Sequence, residues 1–116
     1  MELLAHMGDL FDWALSIAKG ASKWNASKPL DWEPEVSRFF ASLGALDAYL
    51  ASGETLGCPA EQIFQGPIAD ALTHVGQLMM LRRLAGAPAR SENYFAAAIV
   101  TGRVGAEQTA PRREFD

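Results

Sequence analysis

"ADALTHVGQLMMLRRLAG", residues 69–86, is largely apolar yet places Asp70, His74 and Gln77 in its middle. At about 100° per residue, Ile68, Ala71, Leu72, Val75 and Met79 share one face, while Asp70, His74, Gln77 and Leu81 form a second stripe flanked by Leu78 and Leu84. A helix apolar on more than one side is expected to be buried on more than one side, which would turn Asp70 and His74 together into an interior space. A carboxylate and an imidazole at i and i+4 can share one metal ion; the same spacing also serves an ordinary hydrogen-bonded pair.

Outward from this stretch the chain reads as helices joined by turns. Residues 2–19 place Leu3, Met7, Leu10, Ala14, Ile17 and Ala18 at three-and-four spacing, and Gly20 stands where a helix would end. Residues 21–32 lack a period and read as a loop folding back over the bundle, pinned by Trp24 and Trp32. A second helix begins at Asp31 as N-cap, with Glu33, Pro34 and Glu35 in its first turn, repeats Val36, Phe39, Phe40, Leu43, Leu46 and Leu50, and closes at Gly53. A connector with one short helical turn at 59–64 leads to Pro67, which opens the helix running through Leu84; Gly86 and Pro88 end it. Ser91 is the expected cap of a fourth, shorter helix, "ENYFAAAIVTG", with Tyr94 as an aromatic anchor, and the residues after it read as an irregular tail. With no strand alternation and no repeat, the expected fold is all-α, an antiparallel helical bundle forming a single domain over residues 1–116.

The chain has two histidines. His6 falls among Leu3, Leu10, Trp13 and Ile17 on the first helix, so its ring is expected to face the core, with Asp9 one turn on. If it faces the same space as Asp70 and His74, the three make an N/O ligand set with positions left for water or substrate, the form of a catalytic rather than a structural site. Bundle interiors commonly hold such sets. Asp9 and Gln77 are placed to orient the ligands by hydrogen bonds from behind. The plainer alternative is a hydrogen-bonded Asp70/His74 pair beside a core histidine.

Composition narrows the function. Residues 1–81 carry four Lys/Arg against ten Asp/Glu, and residues 82–116 carry six Arg against four Asp/Glu. These arginines are scattered among acids, so nucleic-acid binding is not expected. The single cysteine, Cys58, excludes an internal disulfide and any CxxC pair, and fits a reducing compartment. No apolar run reaches the ~18–20 residues of a membrane span, and Glu2 follows Met1 where a signal peptide would be basic; no membrane partner and a cytoplasmic location are expected. Arg82 and Arg83 either complement a helix C-terminus or hold a substrate carboxylate. The Phe39/Phe40 and Met79/Met80 pairs read as core or dimer-interface residues.

"LLAHMGDLFDWALSIAKG", "FQGPIADALTHVGQLMMLRRLAG" and "ENYFAAAIVTGRVG" together resemble the DinB-like (YfiT-like) metalloenzymes over nearly the whole chain, "HVGQL" being the most specific part. The resemblance implies a four-helix bundle, commonly dimeric, with an early histidine and a later HxxxH pair holding a divalent metal, often nickel or zinc. His6 matches the early histidine and His74 the second of the pair; Asp70 stands where the family has the first. The family bundle also carries a helix ahead of its early histidine, so this chain is expected to lack that helix and to self-associate. What the resemblance implies of activity is a metal-dependent hydrolase or a thiol-dependent transferase acting on a small molecule. The competing expectation is a non-catalytic helical dimerisation or interaction module with a degenerate metal site.

Overall fold

The first helix, α1 (Glu2–Ala18), is the hub of the computed structural model, which describes residues 1–90 and 92–111. Leu4, Ala5, Met7, Leu10, Phe11, Ala14 and Ala18 are all buried, so α1 is covered around much of its circumference. Gly20, at φ 74°, ends it in the left-handed region that a Cβ disfavours.

Residues 20–31 then run back along α1 as an extended strap. The Trp13 indole donates to Ser22 Oγ at 3.2 Å, Lys23 N donates to Ser16 Oγ at 2.9 Å, and Ser27 N donates to Asp9 Oδ2 at 2.8 Å. A 17-residue helix is roughly 25 Å long, and at ~3.3 Å per residue the strap is long enough to return its whole length. The consequence is topological. The second helix, α2 (Trp32–Ala51), starts near the beginning of α1 and runs parallel to it: Arg38 lies beside Ala5 and Asp9, the Phe39 ring meets Phe11 at 5.5 Å, and Lys19 Nζ sits 5.6 Å from the Tyr49 ring. The wholly antiparallel arrangement expected from the sequence is therefore corrected at one pair: α1 and α2 run parallel, joined by a long return connection. Trp24 does pin the strap, against His6 and Trp13; Trp32 is 59% exposed and pins nothing.

After α2 the chain meets the far end of α1, where Gly57 N donates to Ala18 O at 2.7 Å. A short helix, α3 (Ala60–Ile63), passes through a wide π-type turn at Phe64–Ile68 into α4 (Ala69–Leu84). The turn holds buried Pro67, which has no N–H to give a regular helix, and Gly66 at φ −90°, ψ −105°, so the break is written into the sequence. α4 travels back antiparallel to α1, bringing Asp70 and His74 beside His6.

Gly57 is required by packing. A Cβ there would press into the Gly20 backbone and against Ile17 O. Gly57→Ala is expected to lower unfolding free energy by about 1–3 kcal/mol, the usual cost of overpacking a closed contact. A urea melt superimposable on that of the wild type would refute this contact.

Two expectations for the elements fail. α4 is not buried on several sides: only Ala71 is buried, and Leu72, Met80, Leu81 and Leu84 are exposed, because α4 packs on α1 and not on α2. The segment expected to form a fourth helix forms only a 3₁₀ turn at Tyr94–Ala96, leaving Tyr94 exposed rather than anchored. The segment packs on none of the described helices, and a helix this short is below the length that holds in water by itself. Its expected cap, Ser91, and the tail beyond residue 111 lie outside the described residues. Among the described residues the chain is all-α with three long helices and no strand, and no helix is long and apolar enough to cross a membrane.

Candidate metal centre

α1 and α4 cross where His6 and the Asp70/His74 pair face one another, so two elements supply the three side chains. The i, i+4 spacing on α4 stacks Asp70 and His74 one turn apart, placing His74 Nε2 3.2 Å from Asp70 Oδ1. His6 Nε2 lies 3.8 Å from Asp70 Oδ2. One ligand atom from each of the three falls within 4.8 Å of the other two, so the group could hold a metal ion.

The spacing can be set against what an ion needs. Ligands at ~2.0–2.2 Å from a tetrahedral centre stand about 3.2–3.6 Å apart. The His74/Asp70 pair already has that separation, and His6 needs only a small side-chain movement to reach it. The Trp24 and His74 rings hold the His6 ring edge to face, with centroids at 5.6 and 4.8 Å. The strap that carries Trp24 therefore also positions a ligand.

Gln77 pairs with His74. Its Oε1 lies 2.9 Å from His74 Nδ1, a contact that an Nδ1–H tautomer satisfies and that leaves Nε2 facing Asp70. In the neutral ring Nε2 then turns a lone pair toward the Asp70 carboxylate. Two acceptors at 3.2 Å repel unless a cation, a proton or a metal ion, lies between them. Gln77→Leu is expected to weaken metal affinity about 10–100-fold by freeing the ring to rotate and change tautomer. Isothermal titration would read it, and an unchanged affinity would remove Gln77 from the site.

Asp9 is not at this centre. It is 4% exposed, and its oxygens accept from Ser27 N and from Arg38 Nη1 at 2.8 Å each. Burial alone would raise its carboxyl, but the Ser27 N–H and the Arg38 guanidinium outweigh it and hold the group below the ordinary value of 3.8. Arg38 also donates to Ala5 O and to Glu35, which is fully buried and accepts from Leu30 N. Buried Asp9 and Glu35, joined through the half-buried Arg38, thus clasp the strap at Ser27 and Leu30, just before it enters α2, the part of the architecture that the sequence reading missed. A signal was present: Glu35, Arg38, Ser42 and Leu46 recur at three-and-four spacing beside the apolar stripe of α2.

The site is also more open than expected. Asp70 is 49% exposed and His6 38%, while His74 is 17% exposed, and among the described helices only α1 and α4 meet at this crossing. A hollow of about 350 Å³, walled by Leu10, Trp13 and Trp24, adjoins His6 and Asp70. Arg82 and Arg83 lie in the last turn of α4, where Arg82 Nε donates to Ala87 O at 3.0 Å, as a residue complementing a helix C-terminus would. Cys58 is a free, half-buried thiol beside the core.

Compared with protein-family models, with curated proteins and with solved structures, the chain matches none. Geometry alone describes it: an all-helical protein in which His6, Asp70 and His74 form a group able to hold a metal ion.

Proposed function

We propose that the protein is a divalent-metal-binding helical protein of the DinB-like type, holding one ion through His6, Asp70 and His74 with Gln77 orienting His74. The observation that carries this reading is the convergence of three side chains from two helices, with His74 Nε2 3.2 Å from one Asp70 oxygen and His6 Nε2 3.8 Å from the other. A divalent ion fits this donor set: two neutral nitrogens and one carboxylate suit zinc or nickel, and the carboxylate admits harder ions better than a third imidazole would.

Three protein ligands on an exposed crossing leave coordination positions facing solvent, which favours a reactive over a purely structural site. A bound ion there supplies Lewis-acid polarisation or activation of a water or thiol, the chemistry of a hydrolase or a thiol-dependent transferase. The chain's own residues fix the ligand geometry, and Leu10, Trp13 and Trp24 offer an apolar wall for the body of a small-molecule substrate.

Thermal melts with and without zinc or nickel test the reading. An ion that binds only the folded chain raises stability by about 2.7 kcal/mol at a hundredfold excess over Kd, and a chelator should reverse the shift. A melting temperature indifferent to every divalent ion tried would refute the proposal.

A further inference from the structure

α2 and α4 both pack on α1 and not on each other, which leaves a groove between them with buried Met7 and Phe11 of α1 at its floor. Half-buried Phe39 and Leu43, with Leu50 at 44% exposed, make one wall. Leu72, 59% exposed, and half-buried Val75 make the other. The groove measures about 370 Å³. That lies within the ~300–1,000 Å³ of small-molecule sites, which favour the spaces between the helices of a bundle. A docked helix is the wrong shape for it: ~10–12 Å across, it would use this volume in less than about one turn.

One residue lining the groove is charged. Asp47 is half-buried on the α2 wall, and no ion pair or side-chain hydrogen bond among the described residues takes it. Lys19, at the end of α1, lies over the Tyr49 ring instead. Asp47 also stands one turn before the end of α2, whose last turn holds no basic residue, so the negative end of the helix dipole adds to the carboxylate. A half-buried carboxylate walled by leucine and phenylalanine costs free energy until a cation meets it. The groove thus pairs an apolar surface with one point of negative potential.

We propose that the groove is a binding site for a small hydrophobic amine, its alkyl or aryl body lying along Phe39, Leu43 and Val75 and its ammonium paired with Asp47. Charge sets the class of ligand. A fatty acid or other apolar carboxylate would fit the walls but would set like charges side by side at Asp47. A neutral molecule would bury the same apolar area and leave the carboxylate without its cation. The groove uses a different stripe of α4 from Asp70 and His74, so the site does not depend on the metal reading.

Titration calorimetry of the full chain tests it with three compounds on one phenylbutyl body: the amine, the alcohol and the carboxylate. The amine is expected to bind about tenfold tighter than the alcohol, as a charge-assisted bond does over a neutral one, with the carboxylate the weakest of the three. Asp47→Asn, at unchanged helical circular dichroism, is expected to erase the advantage of the amine, and Asp47→Lys to pass it to the carboxylate. In nuclear magnetic resonance spectra the bound amine should shift the methyl groups of Leu43, Leu72 and Val75. An amine that binds more weakly than ~1 mM, equal binding of the three head groups, or a preference that survives Asp47→Asn would overturn the proposal. Overhauser contacts from the Val75 methyls to the Tyr94 or Phe95 ring would give the groove to the chain's own segment or to a second copy, and would overturn it equally.

Discussion

Arg38→Ala is expected to lower the stability of the fold by about 3–4 kcal/mol, a large share of the ~5–15 kcal/mol that holds a domain together. The Arg38 side chain makes four hydrogen bonds, to Asp9, Ser27, Ala5 O and Glu35, and its Nη2 also lies 2.7 Å from Glu35 Oε1 as an ion pair. Its removal leaves two carboxylates, 4% and 0% exposed, without their cation. Breaking a buried ion pair from one side is far worse than replacing it whole, so Arg38→Met combined with Glu35→Gln and Asp9→Asn should be milder than Arg38→Ala alone. Acid should act on the same clasp. The folded carboxyl of Asp9 lies below its unfolded value of 3.8, so the stability it contributes is complete above about pH 4 to 5 and is lost as pH falls through the lower folded value. Urea midpoints measured from pH 7 down to 2 should therefore fall mainly below pH 4, and Asp9→Asn should flatten that limb. A midpoint unchanged by Arg38→Ala would mean the clasp does not hold the strap.

Asp70→Ala is expected to weaken metal binding by more than about 100-fold, since even residues that merely orient ligands are worth 10–100-fold. Asp70 is the link in the group: one oxygen faces His74 and the other faces His6, so without it two imidazoles from different helices remain with no anion between them. Asp70→His should behave otherwise. It keeps a donor one turn before His74 and should retain binding while shifting preference toward zinc and nickel over manganese and magnesium, because imidazole is a softer ligand than carboxylate. Titration calorimetry of the two variants against the same ions distinguishes a ligand from a bystander. Equal affinity in Asp70→Ala and the wild type would show that the carboxylate only pairs with the histidines.

Local signals in this chain were legible, and those that depend on distant partners were not. Gly20, Gly53 and Gly86 stand past the ends of the three long helices, each at positive φ, which is the chemistry that marks such ends in a sequence. The i, i+4 pair at Asp70 and His74 is likewise a local feature, and the structure brings His6 to it. What periodicity could not reveal was direction: the strap reverses the chain between α1 and α2, and a return of that kind depends on Asp9, Ser27 and Arg38 meeting across 29 and 11 residues. Asp9 illustrates the error well. One turn beyond His6 it looked like support for a ligand, yet its oxygens are committed to Arg38 and Ser27. The exposed α4 has a similar origin, because apolar residues on two faces announce burial without saying whether the covering surface belongs to the same chain. "ENYFAAAIVTG" has the composition of a helix and, packed on none of the described helices, forms one 3₁₀ turn.

Metal content of the purified protein beside His6→Ala and His74→Ala, each first shown to keep the wild-type helical circular dichroism, decides whether His6, Asp70 and His74 act as one centre. About one ion per chain in the wild type and little in either variant is the predicted outcome. A wild type that retains no metal and takes up none on titration, or variants that hold as much as the wild type, would contradict it and reduce the group to a hydrogen-bonded cluster at a helix crossing.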